Sequence, residues 1–198
     1  MNSRFRSCAI GLVLAAALGG CQTAKPIAMS VSVTPTTKEG AAFGDVLAAQ
    51  RKAGQDIPPL KGQQVLIVRS YEYVQKADEP FATSMEIEGI DCGVESEGYR
   101  ASLKTPAEVR VPDYGYASRL ISVRCHTARH KPSFVTVQPF DKTTSDRLRA
   151  GSNAGLAALV AVAIIDAATD KKTHEFSYPP AHVTMNGIGC ETEKVGCR

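Results

Sequence analysis

Between Lys61 and Pro139 apolar residues come in short runs broken by Gly, Pro and Asp, a texture that predicts strands. Val65-Leu66-Ile67-Val68, followed by Tyr71 and Tyr73, has few polar interruptions and so predicts a central strand. Met85 and Ile87, continued by Ile90 and Cys92, predict a second strand with a bulge at Gly89. Tyr99 to Lys104, Val109 with Val111, Ile121 with Val123 and Cys125, and Phe134 with Val135 and Val137 extend the series at spacings of roughly ten residues, the pattern of an antiparallel sandwich or small barrel. His182 to Met185 predicts a last strand.

Ser145 to Lys172 reads differently. Thr144 or Ser145 can cap a helix, Asp146 sits in its first turn, and Lys171 and Lys172 suit its C-terminal dipole. Inside it Leu156 to Ile165 is unbroken apolar sequence, so this helix has no polar face for almost three turns and must be buried in a core, in lipid or against a partner. Ten residues rise only about 15 Å, half a bilayer's hydrocarbon thickness, which argues against spanning. A sheet of this size needs a cover, so the expectation is one hydrophobic helix packed on the β-module. Gly151, Gly155 and Ala158 fall at spacings of four and three, offering an alternative use as a close helix interface in an oligomer. The fold class predicted is thus α+β, a small antiparallel β-sandwich or barrel-like module covered by one hydrophobic helix.

The ends of the chain set its address. Arg4 and Arg6, an apolar run from Ala9 to Leu18 and small residues up to Cys21 form a secretory signal over residues 1–20. Leu18-Gly19-Gly20-Cys21 resembles the lipobox of bacterial lipoproteins. That resemblance implies cleavage before Cys21, acylation of Cys21 and a palmitate-type lipid anchor in the cell envelope. Gln22 in place of an aspartate implies sorting to the outer membrane, facing the periplasm. Residues 21–60, poor in large apolar side chains, then read as a flexible, disordered tether with a short helix over Ala41 to Ala53 ahead of Pro58 and Pro59. The β-module occupies 61–140, and 141–198 carries the helix and a disulfide-stapled tail.

Composition narrows the function. The whole chain is +3 at pH 7; without residues 1–20 it keeps 21 basic and 20 acidic side chains, a balance unlike that of a nucleic-acid-binding protein. Of six cysteines, Cys92, Cys125, Cys190 and Cys197 remain once Cys8 leaves with the signal and Cys21 carries lipid. An even set in an oxidising compartment predicts two disulfides. Three connectivities are open; Cys92 with Cys125 and Cys190 with Cys197 are favoured because each pair lies within one local module.

Asp91-Cys92, Gly98-Tyr99, the run Thr105-Pro106 to Pro112, and Leu120 to Cys125 together resemble the small PEGA-like β-modules of bacterial lipoproteins over residues 85–126. The resemblance implies an envelope binding module without catalysis. Acidic residues from Glu86 to Glu97 precede the module, and basic ones follow it: Arg119, Arg124, Arg129 and Lys131. A Cys92 to Cys125 bridge would set the two groups side by side as cross-strand pairs, or leave the cations as a ridge for anionic headgroups or an acidic partner.

Catalytic patterns are sparse. Cys125-His126 with His130 is the nearest metal set, but these residues end a strand before Pro132 and are expected in a surface loop. Gly196-Cys197 and His182 resemble elements of L,D-transpeptidases, without that family's His-Gly pair or the serine before its Gly-Cys. The sequence therefore predicts a membrane-tethered binding or assembly module, with no metal or cofactor, whose partner is an envelope protein or a second copy. The alternatives are a structural subunit oligomerising through residues 151–168 and a cysteine- or metal-dependent enzyme.

Overall fold

The computed structural model describes residues 24–36, 44–75 and 80–188. The elements in chain order are β1 (Met29–Ser32), β2 (Thr34–Pro35), α1 (Ala48–Lys52), β3 (Gly62–Val74), β4 (Thr83–Ile87), β5 (Asp91–Ser96), β6 (Tyr99–Lys104), β7 (Ala107–Asp113), β8 (Ile121–Thr127), β9 (His130–Val137), β10 (Phe140–Asp141), α2 (Lys142–Asn153), α3 (Leu156–Ala168), β11 (Phe176–Ser177) and β12 (Ala181–Thr184). The fold is α+β and strand-rich. Among the described residues one five-stranded sheet runs β1-β7-β3-β12 with β4 beside β3, and a second runs β2-β6-β5-β8-β9. Most pairs are antiparallel; β1 with β7 and β12 with β3 are parallel.

Period-two alternation explains how both sheets commit to one core. In β7, Ala107, Val109 and Val111 are fully buried while Arg110 is exposed; in β8, Ile121, Val123 and Cys125 are buried while Arg124 and His126 are exposed. Leu66 and Val68 from β3 and Val183 from β12 join Cys92 and Val94 from β5 and Leu103 from β6 in the same hydrophobic cluster. Cys92 and Cys125 face each other in register across β5 and β8 and form a disulfide. Ser70 and Thr105, both buried, are 2.5 Å apart; the Ser70 hydroxyl donates to the Ile87 carbonyl at 2.9 Å, which leaves Thr105 to donate to Ser70.

The predicted strands are present, with two changes of plan. Met85 to Cys92 is not one bulged strand: β4 belongs to the first sheet and β5 to the second, and Gly89, at φ +73°, turns the corner between them. The 85–126 segment is therefore divided between the sheets. The 21–60 tether also needs correction, because much of it is built into the fold. β1 pairs along β7 in the first sheet, and the same stretch of chain continues as β2 against β6 in the second. Alternating Met29, Val31 and Val33 pack against the main core, which is why the segment is held although it carries few large side chains. Further on, Leu47 and Ile57 are buried with Tyr114 and Ala117 in a second small cluster, and the predicted short helix is Ala48–Lys52.

The molecule has two ends. At the top are the C-terminus of β7, the 3-10 turn Gly115–Ala117, α1 and the start of α2. At the bottom are the β6–β7 turn with its cis Thr105–Pro106 peptide, the β8–β9 turn, and Lys25. Bottom contacts tie the edge of one sheet to the other: Gly187, after β12, bridges His130, and the Lys131 amide donates to the Asn186 carbonyl at 2.8 Å.

The disulfide closes a loop of 33 residues within this core. Replacing both Cys92 and Cys125 by alanine should lower the unfolding free energy by about 3 kcal/mol. Urea titration of the double variant checks this; an unchanged midpoint would show that the bridge adds nothing to the packed sheets.

Candidate functional site

The predicted single helix is two. α2 ends at Asn153 and α3 begins at Leu156, with Gly155 at φ +94° between them, a backbone region that suits glycine. The two helices form a hairpin at the top of the molecule. Its expected role as a cover is overturned: no residue of α3 is buried, and its main packing partner is α2. The reason lies in the sheets, whose buried apolar residues meet in one shared cluster to which α3 contributes none.

The small residues, for which an oligomer interface was the alternative use, serve the hairpin itself. Gly151 is buried against α3, where a side-chain carbon would stand 3.1 Å from Val162 Cγ2 and 3.4 Å from the Ala158 carbonyl oxygen. Gly151 and Ala158 thus serve the contact inside the hairpin, and Gly155 serves its turn. What remains open is the opposite side of α3, where Leu156 is 78% exposed, Val160 54%, Ile164 65% and Ile165 55%. Leu156, Val160 and Ile164 recur every four residues and so form a stripe. Among the described residues no helix is long and apolar enough to cross a membrane.

A polar clasp anchors the hairpin to the body. Asp141 is the N-cap of α2: one carboxylate oxygen accepts from the Thr144 amide at 2.8 Å, and the other from the Thr144 hydroxyl at 2.7 Å. The second oxygen also meets Nδ1 of buried His174 at 2.7 Å. The Thr144 hydroxyl contacts Asp166 near the end of α3 as well, and Arg147 and Lys171 each stand 3.8 Å from Asp166. Burial pushes the Asp141 carboxyl up, but the Thr144 amide, His174 and the Thr144 hydroxyl outweigh it and hold the pKa at about 2. Asp141, Asp166 and His174 bring potential metal-ligating atoms within 4.8 Å of one another. Two cations already balance Asp166, and Asp141 is committed to the helix cap, so this geometry serves a structural clasp. Neither Asp141 nor His174 stands out in the sequence, although an aspartate three residues before Thr144 is an N-cap signal.

The basic residues do not form one ridge. Arg119 is at the top, 3.0 Å from Glu97 and also donating to Gln50 at 3.0 Å. Arg124 is midway along the outer face of β8, its guanidinium 5.5 Å from the centre of the Phe134 ring. Arg129, at the bottom, lines a small depression of about 280 Å³ with Glu72, Glu88 and His130, and Lys131 follows in β9. Seven strand residues of about 3.3 Å each separate the extremes. The acidic and basic strands do meet as expected, with Asp91 opposite His126 across β5 and β8. His126 and His130 belong to strands rather than to a loop and point to different places. His126 is exposed beside Asp91 and Lys104 in an open depression of about 550 Å³, whereas His130 is buried with Nε2 3.1 Å from Glu72. Cys21, Cys190 and Cys197 lie outside the described residues.

No family model matches the chain, and no curated protein or solved structure matches it.

The clasp carries a pH dependence. Asp141 has a folded pKa below its unfolded value of about 3.9, so its contribution is complete above about pH 4 and is lost as pH falls toward 2. Asp141→Asn keeps a capping side chain without the titration. The difference in unfolding free energy between wild type and this variant, measured by urea titration at successive pH values, should shrink across that window. A constant difference would rule the linkage out.

Proposed function

We propose that the protein is a bacterial envelope lipoprotein, anchored by acylation of Cys21 in the outer membrane and facing the periplasm, and that it acts as a non-catalytic binding or assembly module. In this reading residues 1–20 are the removed signal, and the body is a small barrel-like module. Its two sheets share a core, β1 and β2 join them along one seam, and the segment after β12 joins them along the other. The PEGA-like resemblance of residues 85–126 belongs to the same reading.

The observation that carries the proposal is the uncovered apolar side of α3. Leu156, Val160, Ile164 and Ile165 lose hydrophobic stabilisation in water, at about 25 cal/mol for each Å² left exposed. Their contiguity is the mark of an interaction surface. The occupant in this reading is a protein: an envelope partner or a second copy. The four-residue stripe flanked by Ala157 and Ala161 favours a helix as the element that docks there. The clasp keeps the hairpin base fixed to the body, so the docking face is presented in a defined direction.

The test is the native mass of the lipidated protein extracted in mild detergent, alone and as the Val160→Asp/Ile164→Asp double variant. Wild type should run as a defined complex and the variant as a monomer. The variant should still unfold in one cooperative transition, since neither position is buried. A monomeric wild type, or a complex indifferent to the two aspartates, would overturn the docking role.

A further inference from the structure

α3 turns one side to α2 and leaves the other bare. Ala158, Leu159 and Val162 are half-buried on the side that meets Gly151, whereas Ala157, Val160, Ala161, Ile164 and Ile165 are exposed. No charged residue occurs between Arg149 and Asp166, and Asp166 is turned into the clasp with 14% of its side chain exposed. The bare side therefore has no charge with which to select a partner or fix its register, and both must come from shape. A charged or strongly polar surface docked there would lose its hydration without return. The matching surface is another helix face that is apolar and free of charge, and α3 of a second copy is such a face.

The shape of this side is written in residues four apart, which lie in line along a helix. One line is Ala157, Ala161 and Ile165, and beside it run Leu156, Val160 and Ile164. The first line is small at its N-terminal end and large at its C-terminal end. Turned end for end about Ala161, it is its own complement. Ala157 then meets the partner's Ile165, Ile165 meets the partner's Ala157, and the two Ala161 residues meet at the centre, where their size lets the helices approach closely. A parallel arrangement would set isoleucine against isoleucine at one end and alanine against alanine at the other, crowding the first and leaving a gap at the second. The antiparallel arrangement also brings the N-terminal end of each helix beside the C-terminal end of the other. That suits a helix with no acidic side chain in its first turn and no basic one in its last. A patch that is its own complement closes as a two-fold dimer.

We propose that the occupant of the bare side of α3 is α3 of a second copy, packed antiparallel about a two-fold axis at Ala161, so that two helical hairpins form a four-helix cluster. This rests on the docking role proposed above and names its partner.

The axis gives the test its geometry. Helices in contact have axes about 8 to 10 Å apart, which leaves facing Cα atoms about 3 to 5 Å apart once two Cα radii of about 2.3 Å are taken off, close enough for a disulfide. Residue 157 and its mate in the other copy are separated by eight residues, about 12 Å along the helix, which is too far; residue 165 and its mate are equally distant. Ala161→Cys, Ala157→Cys and Ile165→Cys proteins, extracted in mild detergent, are oxidised gently beside wild type, whose own cysteines set the background, and are resolved without reductant. The native mass and composition of the wild-type complex are measured in parallel. Ala161→Cys should give several-fold more disulfide-linked dimer than wild type. Ala157→Cys and Ile165→Cys should each stay at the wild-type level alone and should link when co-expressed. A monomeric wild type would defeat the docking role, and this inference with it. A wild-type complex that contains a different protein, with Ala161→Cys at the background level, would defeat the inference alone. A dimer in which Ala157→Cys links to itself would show a parallel arrangement and would likewise overturn it.

Discussion

The structure depends on two sheets burying each other. Residues from both inner faces meet in one cluster, with Leu66, Val68, Val109 and Val183 on one side and Val94, Leu103, Val123 and the Cys92–Cys125 bridge on the other. Because alternation in each strand sends every second residue inward, this single burial event fixes which side chains are outside, including Arg124, His126 and Arg110. It also satisfies the apolar demand of the sheets without help from a helix. α3 is consequently left with its own demand unmet, and the second hydrophobic cluster around Leu47, Ile57 and Tyr114 seals the top independently of it.

The strands are legible because their signal is local: period-two alternation around Val109 and Val111, or around Ile121, Val123 and Cys125, needs no knowledge of the partner strand. Assignment to a sheet is not legible. Met85 to Cys92 satisfies one strand pattern while the chain crosses from one sheet to the other at Gly89, and only pairing partners reveal the crossing. Residues 29–35 carry little signal because a short edge strand flanked by Ser, Thr and Pro has little apolar content of its own; its stability comes from backbone pairing to β7 and β6. The break at Gly155 is written in the sequence as Asn153-Ala154-Gly155, but the apolar run that follows masks it as part of one continuous helix. The disulfide partners are legible from their modular spacing. The Asp141–His174 contact is not, since it joins positions 33 residues apart.

These features give the molecule a polarity that bears on the proposed function. The contacts of Lys25 with Glu86, Arg69 and Glu88 are at one end and the base of the helical hairpin is at the other, with the two sheets, the second carrying the Cys92–Cys125 bridge, between them. Pairing of β1 to β7 converts what would have been slack chain into structure, so the place of Lys25 is set by the fold rather than by the statistics of a tether. The Asp141 clasp does for the helices what Glu86 does for the N-terminal segment: each uses a carboxylate with both oxygens engaged to fix where an appended segment leaves the sheets. The outward cations are dispersed, with Arg119 paired to Glu97 at the top and Arg124 over the Phe134 ring midway, and give no comparable concentration at any one place.

A β-body whose core takes no residue from α3 is expected to fold without the helical hairpin. Because Asp141 and His174 touch at 2.7 Å, residues 144–171 can be exchanged for a short Gly-Ser linker without stretching the chain. The most direct measurement is the urea unfolding curve of that excised protein. A self-sufficient β-body gives a single cooperative transition within about 2 kcal/mol of wild type, reflecting loss of the cap at most. A broad, non-cooperative curve, or a chain that does not fold, would mean instead that the helices are part of the core.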